Sequence, residues 1–318
     1  MCTWLTAEQA REYAQLTTAS LALRLDGLAI PKASTAQQSN QLFAAGLTFS
    51  GLPAALVMVK TTSAGSLEIL SLAVLTPFRR LGLAKQLLIW LRCEASRLGW
   101  SSLAVSYPRG HACTEAMASL THVQYGWQLS EGLRLVHFDR VGGQAVVNKL
   151  QPVRMRWRGN GRFHLLPWKD LNQEHTNQIL ALQQLAPSWA WPMDSNTDDP
   201  LGVRDEQISR ALLDREQVIG WLIAHRVGLS LFRVTQWWVI PERQGRGFAL
   251  MLLQQAVADA MASQPPYSAG CFGVHHANNR MVEFSKHHLE AIACNIQCNQ
   301  RAILLVNESY SSSRAWCE

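Results

Sequence analysis

The apolar residues of the chain follow two regular spacings, and these spacings predict its helices and strands. One helix carries apolar residues at i, i+3, i+4 and i+7, which are Ala84, Leu87, Leu88 and Leu91. A second segment, from Ala249 to Met261, repeats this spacing over at least one further turn. A single apolar stripe is typical of a helix that lies on a sheet. Each stripe follows a run rich in residues typical of strands, so a strand is expected before each helix.

Predicted strands and helices occur in the same order in both halves of the chain. In the first half we expect helices at 6–16, 82–97 and 114–122, with strands at 41–49, 54–60, 66–75, 101–107, 127–128 and 133–138. In the second half we expect helices at 171–185, 247–262 and 278–288, with strands at 163–168, 217–227, 229–240, 269–276 and 302–306. This order predicts a mixed α/β fold in which helices flank a central sheet.

An internal repeat relates the two halves. The segment VLTPFRRLGLAKQLLIWLR, which starts at Val74, aligns without a gap to VIPERQGRGFALMLLQQAV, which starts at Val239. Matched positions are 165 apart (239 − 74 and 247 − 82). A repeat of this length indicates two whole domains rather than a solenoid unit. We therefore predict an N-terminal domain over 1–145, a linker over 146–160 that contains scattered basic residues, and a C-terminal domain over 161–318.

Composition narrows the class of protein. Of the 318 residues, 48% are hydrophobic and 16% charged, which is ample for two cores. The formal charge of +6 suits an anionic ligand, but no alternation of basic and aromatic residues points to nucleic acid. The seven cysteines form no CxxC pair, so neither a disulfide framework nor a metal site is expected. With no apolar run long enough to span a membrane, we expect a soluble cytoplasmic protein.

Both repeats place a tight turn between the end of a strand and the start of a helix. The first turn of a helix has unpaired N–H groups and the positive end of the helix dipole, so it can bind an anion. Glycine allows a phosphate to approach the main chain closely. The segments 244–249 (QGRGFA) and 79–84 (RRLGLA) both fit this use, and neither a P-loop nor a dinucleotide motif is present.

These turns resemble the fingerprint of the GNAT superfamily of N-acetyltransferases, [QR]xxGx[GA] after a Pro-bearing strand end. The resemblance implies two domains, each with a mixed, mostly antiparallel sheet flanked by helices, and acyl-CoA as co-substrate without a metal. It assigns the pantetheine arm to Val239 and Val74. It assigns the pyrophosphate to one turn in each half: Gln244, Gly245, Arg246, Gly247, Phe248 and Ala249 in the second, and Arg79, Arg80, Gly82 and Ala84 in the first.

A second resemblance favours the C-terminal half as the working site. The segment VHHANNRMVEF contains an Asn followed by a helix, the pattern by which the family places an Asn near the acyl carrier. Asn278 fills that position, Asn279 is its neighbour, and an N-cap role for Asn278 is compatible with it. The first half has no such Asn, so it is expected to be a degenerate or structural copy.

Acyl transfer to an amine also needs a group that accepts a proton. Glu68 lies where relatives often carry the base, but the matching residue in the second half is Arg233. Candidates in the second half are His225, His275 and His276. Ser285 lies where relatives often have a Tyr that protonates the CoA thiolate. Tyr267 or a water molecule are the alternatives for this proton donor. Trp237, Trp238 and the loop Trp189 and Trp191 could line an acyl or acceptor pocket or simply pack.

The sequence therefore predicts an acyl-CoA-dependent N-acyltransferase that acts by direct attack in a ternary complex. Its acceptor would be a primary amine of a small molecule or a peptide side chain, and an acyl carrier protein could present the donor. The alternative is a non-catalytic tandem module that binds acyl-CoA or a partner.

Overall fold

The computed structural model describes residues 1–32, 41–62, 65–158, 161–187, 203–227, 230–276 and 278–306. The chain divides into two compact units. Unit 1 consists of Met1–Gly132 together with Cys298–Glu318, and unit 2 of Leu133–Gln297. The predicted loop Trp189 and Trp191 lie outside the described residues.

The helices and strands of unit 1 form a sheet with helices packed on it. Its helices are α1 (Ala7–Arg11), α2 (Ala19–Ala22), α3 (Leu83–Leu98) and α4 (Thr114–Leu120). Its strands are β1 (Cys2–Trp4), β2 (Leu42–Phe49), β3 (Leu52–Thr61), β4 (Ser66–Val74) and β5 (Ser102–Pro108). A strand that starts at Trp127, β6 (Trp127–Asp139), and the last strand, β13 (Asn295–Leu305), each extend across a unit boundary.

Unit 2 has the same order of elements. Its helices are α5 (Arg140–Arg158), α6 (Gln173–Gln183), α7 (Phe248–Ala262) and α8 (Asn279–His288). Its strands are β7 (Phe163–Pro167), β8 (Val203–Arg204), β9 (Arg210–Asp214), β10 (Gln217–Arg226), β11 (Leu231–Val239) and β12 (Ala269–His275). Of these strands, β8 and β9 were not predicted from the sequence.

The predicted fold class is confirmed. In unit 1 the sheet order is β1-β2-β3-β4-β5-β13, and in unit 2 it is β6-β12-β11-β10-β9-β7, with β8 beside β10. One pair in each unit is parallel, β4 with β5 and β11 with β12, and the other pairs are antiparallel. The apolar stripes of α3 and α7 are buried on these sheets, with Leu87, Leu91 and Leu252 fully excluded from solvent.

The repeat extends to irregular details of the backbone. The β3–β4 pair shifts register between Met58 and Val59, and the β10–β11 pair shifts between Ile223 and Ala224, 165 residues later. Each shift leaves one residue of the adjoining strand unpaired in the ladder, Leu70 in β4 and Thr235 in β11. A β-bulge of this kind bends a strand and redirects its side chains.

The division into units differs from the predicted boundaries at the C-terminus. The strand expected over 302–306 as the end of the second domain is part of β13, which pairs antiparallel with β5 of unit 1 from Asn299 to Leu305. Ala302 and Leu304 are buried in the core of unit 1. Alternating apolar residues predict a strand but do not identify its partner, and this strand joins the other unit.

The boundaries also differ in the middle of the chain, where the predicted linker over 146–160 lies largely within α5. Asp139 starts this helix because its Oδ1 accepts a hydrogen bond from the N–H of Gly142 at 2.8 Å. Gly142, near the start of the helix, allows close packing, because a Cβ at this position would lie 2.5 Å from the carbonyl oxygen of Ile292. Val146 and Leu150 are buried in the core of unit 2.

Candidate active site in unit 2

The turn after β11 has the geometry of an anion-binding site. A single 3₁₀ turn, Pro241–Arg243, follows the strand, and Gly245 and Gly247 then adopt left-handed conformations with φ of 75° and 87°. Helix α7 starts immediately afterwards, and Gly247 has no side chain to cap its first N–H groups. These N–H groups and the helix dipole favour a bound anion.

Gly247 cannot be replaced without a clash. A Cβ at this position would lie 2.9 Å from Cγ1 of Val153 in α5, closer than two carbon atoms can approach. A side chain would also be strained by the left-handed backbone. Gly247 is therefore required by both the space and the backbone conformation of the turn.

The strand that leads to the turn separates from its parallel neighbour. Pairing between β11 and β12 runs only from Leu231 with Ala269 to Val234 with Phe272. Both strands continue further, to Val239 and His275. Beyond the bulge at Thr235, β11 therefore forms no ladder with β12. The backbone groups on this edge of β11 can bond to a ligand.

A cavity of about 550 Å³ joins these two features. It is lined by residues of the strand, the turn and helices α7 and α8: Leu185, Pro187, Trp237, Trp238, Val239, Pro241, Arg243, Gln244, Gly245, Gly247, Phe248, Ala249, Leu250, Asn278, Arg280, Met281 and Phe284. Its charged lining residues are two arginines, Arg243 and Arg280, and no carboxylate belongs to the lining as described. An elongated ligand with anionic and apolar parts suits this lining.

A carboxylate outside the cavity holds one of these arginines in place. Arg243 Nη2 donates to Asp214 Oδ2 at 2.6 Å, and Arg162 Nε donates to Asp214 Oδ1 at 2.6 Å. Hydrogen bonding from Arg162, assisted by the charges of both arginines, holds the pKa of Asp214 below its ordinary value of 3.8, although burial acts in the opposite direction. Asp214 thus stays ionised and fixes the guanidinium of Arg243 at the cavity.

The aromatic and amide residues of the lining have defined contacts. Trp237 Nε1 donates to the carbonyl oxygen of Ala249 at 2.9 Å, and its ring meets Phe284 edge-on. Trp238 packs on Trp221 at 4.7 Å between centroids. Asn278 caps α8, since its Oδ1 accepts from the N–H of Met281 at 3.2 Å, while it also lines the cavity. Both interpretations of Asn278 from the sequence are thus compatible with its position.

The matching turn of unit 1 has the same backbone with different side chains. Arg80 and Gly82 are left-handed, with φ of 66° and 76°, at the positions of Gly245 and Gly247. Arg79 Nε donates to the carbonyl oxygen of Val74 at 3.2 Å, and Gln244 Nε2 donates to that of Val239 at 2.8 Å. Ala84 lies in the first turn of α3. The turn geometry is therefore a property of both repeats.

Most residues that the sequence assigned to the carrier in unit 2 meet at one cavity. Val239, Gln244, Gly245, Gly247, Phe248, Ala249 and Asn278 all line it. Arg246 is exposed and is not part of the lining. Arg280 and Asp214 were missed: Arg280 immediately follows the Asn pair, but nothing in the sequence connects Asp214 with an arginine 29 positions later.

The predicted catalytic side chains do not line this cavity. His225 lies on β10 directly across from Arg233, is buried, and its Nδ1 is 2.8 Å from Thr235 Oγ1. The single hydroxyl proton of Thr235 is within reach of the carbonyl oxygen of Ile223 and of Gln236 Oε1. When Thr235 donates to either of them, His225 Nδ1 must be the donor to Thr235, which leaves the lone pair of a neutral ring on Nε2.

The remaining candidates have other contacts and are likewise not part of the cavity lining. His275 ends β12 and stacks on His276 at 4.9 Å. Ser285 is fully buried, and its Oγ donates to Glu290 Oε1 at 3.3 Å, so it does not reach the cavity. Tyr267 donates to Asp205 at 2.6 Å and accepts from Arg226 at 2.7 Å. Burial, with the bond to Asp205, raises the pKa of Tyr267 to about 12.

Glu68, the fifth catalytic candidate, belongs to unit 1. Its Oε1 lies 3.5 Å from Nη1 of Arg301, a residue of β13.

Within the described ranges, no group of three or more His, Cys, Asp or Glu residues is arranged to hold a metal ion. No helix in that part of the chain is long and apolar enough to cross a membrane.

The known proteins that match this chain are solved structures, and they match it in fold. No family model matches the sequence, and no curated protein matches it. A tandem GNAT protein from the clavulanic acid biosynthesis pathway superposes with a TM-score of 0.67 at 13% identity, covering 97% of this chain and 99% of that one. A glucosamine N-acetyltransferase region of a fungal multi-domain GH3 β-N-acetylglucosaminidase gives 0.67 at 12%, covering 96% of this chain and 38% of that one.

A third match extends over nearly the whole of both chains. A GCN5-related N-acetyltransferase from Sphaerobacter thermophilus superposes with a TM-score of 0.59 at 12% identity, covering 95% of this chain and 94% of that one. At these identities the likeness is one of fold. This likeness agrees with the turns before α3 and α7 and with the separation of β11 from β12. It shows that this chain has the GNAT superfamily fold in a tandem arrangement.

Proposed function

We propose that the protein is an acyl-CoA-dependent N-acyltransferase whose working site is in unit 2. The observation that carries this proposal is that the glycine turn before α7 and the open edge of β11 line one cavity. A turn alone would bind any small anion. A turn joined to an unpaired strand edge suits a pyrophosphate that continues into an extended, amide-bearing arm such as pantetheine.

The residues of the cavity fit coenzyme A. The N–H groups at the start of α7 would hold the pyrophosphate, and Arg243 and Arg280 supply positive charge beside it. The backbone of Val239 would bond to the pantetheine amides, with Asn278 close to the same arm. The apolar side chains of Trp237, Met281 and Phe284 would cover the apolar parts of the ligand.

The chemistry requires no covalent intermediate with the protein. A neutral amine attacks the thioester carbonyl carbon, the new C–N bond forms, and the C–S bond breaks to release the CoA thiolate. Backbone N–H groups of the open strand edge would stabilise the negative oxygen. The amine loses one proton and the thiolate eventually takes one up, so the protein needs only a transient acceptor.

We assign the role of proton acceptor to His225. It lies on the strand next to β11, bonds to the bulge residue Thr235 where β11 separates from β12, and presents Nε2 as its basic nitrogen. Tyr267 is unsuited to protonate the thiolate, because its hydroxyl is engaged by Asp205 and Arg226 and holds its proton to about pH 12. In this proposal, water therefore donates the proton that the CoA thiolate takes up.

The acceptor in this proposal is a primary amine of a small molecule or a peptide side chain, in the cytoplasm. The donor would be acetyl-CoA or a longer acyl-CoA, or the same arm on an acyl carrier protein. Unit 1 is assigned a structural role.

A non-catalytic acyl-CoA-binding module is the second candidate, and one observation favours it. No imidazole or carboxylate belongs to the cavity lining as described. Such a module would bind acyl-CoA with no turnover of any amine.

The two candidates are separated by measuring binding and turnover on the same variants. Native mass spectrometry with acetyl-CoA and longer acyl-CoAs gives stoichiometry, and release of free thiol in the presence of amines gives turnover. We expect one equivalent to bind, and His225→Gln to lower kcat about 100-fold or more without changing acyl-CoA affinity. His287→Gln is the control, because His287 is exposed on α8.

Either of two results would contradict the proposal. Full turnover in His225→Gln would remove the proposed base, and binding with no thiol release from any amine would favour the module. Absence of acyl-CoA binding would overturn both candidates.

A further inference from the structure

A row of side chains crosses the sheet of unit 2 at the point where β11 and β12 begin to separate. His225, Arg233, Cys271 and His137 lie opposite one another on four adjacent strands, β10, β11, β12 and β6. Residues that are paired in this way point to the same face of a sheet. Arg233 is therefore on the same face of the sheet as His225, the proposed base. It lies one residue before Val234, the last residue of β11 that pairs with β12.

Arg233 has no counter-charge among the described residues. It takes part in no ion pair there, and its Nε is buried without a hydrogen-bond partner. Arginine stays protonated in proteins, so this side chain places a permanent positive charge with an unsatisfied donor inside the unit. A buried donor without an acceptor is unfavourable, which makes this arrangement more typical of a binding site than of a structural one.

A second nitrogen in the row is also unsatisfied. His137 Nε2 is buried and has no partner within the described ranges. Burial and the charge of Arg233 lower the pKa of His137, so it contributes a neutral ring. The row therefore has one full positive charge at Arg233 and a neutral ring at His137, and none of its four members is an Asp or a Glu.

The matching row of unit 1 is balanced, which shows that the fold itself does not require an unpaired arginine. Glu68 occupies the position of Arg233, stands opposite Lys60 in the β3–β4 ladder, and lies 3.5 Å from Arg301. Charges of both signs are thus present there. In unit 2 the same position has only the cation, and an anion from outside the chain would complete it.

We propose that the acceptor is an amine that also carries a carboxylate, and that Arg233 binds that carboxylate. The inference rests on the proposed transferase function and adds the class of its substrate. The planar guanidinium of Arg233 suits a carboxylate through two parallel hydrogen bonds. Because Arg233 lies directly opposite His225, a carboxylate bound there brings the amine of the same small molecule close to the proposed base.

The test compares matched amines that differ only in the carboxylate. With acetyl-CoA and the full chain, thiol release is measured for lysine and cadaverine, ornithine and putrescine, and tryptophan and tryptamine. For at least one pair we expect kcat/KM to be about 30-fold or more higher for the acid, as expected for a charge-assisted guanidinium–carboxylate pair. Arg233→Gln should reduce that ratio to near one by raising KM for the acid, with little effect on the decarboxylated amine.

Two variants and one further probe sharpen the result. Arg233→Lys should retain part of the preference, because it keeps the charge but not the planar fork. Arg226→Gln is the control, since that arginine lies on the exposed end of β10 and pairs with Asp205. Equal rates for acids and decarboxylated amines, or a preference for phosphoethanolamine over the acids, would overturn the carboxylate assignment.

A binding measurement separates this inference from the transferase proposal. Saturation-transfer NMR with lysine and cadaverine, in the presence of saturating CoA, reports the subsite without turnover. Binding of lysine that is lost in Arg233→Gln supports the subsite even when no thiol is released, whereas equal signals or none for the two ligands overturn it. Native mass spectrometry of the same variants shows whether acyl-CoA binding is intact.

Discussion

The turns at the start of α3 and α7 have the same backbone conformation but differ in the side chains at several positions around them. Four positions around the turn of unit 1 are apolar: Phe49, Leu52, Phe78 and Leu81. The equivalent positions in unit 2, each 165 residues later, are Asp214, Gln217, Arg243 and Arg246. Phe49 packs on Phe78 at 5.4 Å in unit 1, where Asp214 pairs with Arg243 in unit 2.

The geometry of the turn is therefore separable from its binding chemistry. Both turns have two left-handed residues, and both follow a strand with a bulge at the same position. Backbone conformation is therefore retained where a phosphate-binding role is not proposed. The charged residues that surround the turn, rather than the glycines alone, distinguish the two units.

The largest effect is expected from placing a carboxylate in each turn. Gly247→Glu should abolish acetyl-CoA binding, with at least a 100-fold rise in Kd. The new side chain puts a negative charge in the anion-binding turn before α7 and clashes with Val153. Gly82→Glu imposes similar backbone strain and should leave binding unchanged. Native mass spectrometry gives the affinities, and thermal unfolding checks that both variants are folded. Loss of binding in Gly82→Glu would show that unit 1 also binds the carrier.

A smaller effect is expected from exchanging the side chains beside the turns. Arg243→Phe installs the unit 1 residue in unit 2 and should raise the Kd for acetyl-CoA about tenfold or more, because a charge-assisted hydrogen bond is lost. The reciprocal Phe78→Arg should not create a second binding site. Isothermal titration would report affinity and stoichiometry together. A second equivalent bound by Phe78→Arg would mean that a single arginine is sufficient to make the unit 1 turn functional.

The smallest effect concerns stability in acid. Folding lowers the pKa of Asp214 below its ordinary value of 3.8. The ionised carboxylate therefore stabilises the folded protein fully at pH values above 3.8. This stabilisation is lost as the pH falls below that value and the carboxylate becomes protonated. Asp214→Asn should lower the free energy of unfolding by about 1–2 kcal/mol at neutral pH. The difference from wild type should shrink below pH 4. Phe49→Leu, at the equivalent position, should cause a loss that does not depend on pH, as measured by urea unfolding at several pH values.

Much of the fold follows from short-range patterns in the sequence. The stripes of α3 and α7 and the 165-residue repeat specify strand, turn and helix because backbone geometry there depends on neighbouring residues. Gly245 and Gly247 were identified for the same reason, since a tight turn before a helix favours residues without a Cβ.

The features that were not predicted depend on contacts between distant residues. The small size of Gly142 serves the packing of α5 against Ile292, which is distant in the sequence. The pairing of Asp214 with Arg162 and Arg243 joins three separate elements. His137, which contributes to the proposed carboxylate subsite, is distant in sequence from Arg233. Local spacing contains no information on such contacts.

The pairing of β13 with β5 has a consequence for synthesis of the chain. Ser102 and Leu305 are partners in one ladder, so the sheet of unit 1 gains its last strand only after the whole of unit 2 has been translated. A nascent chain on the ribosome exposes the free edge of β5 throughout that interval, and such edges promote aggregation. Closing a loop of this length is also slow compared with local contacts. Completion of unit 1 is therefore expected to be a late event in folding.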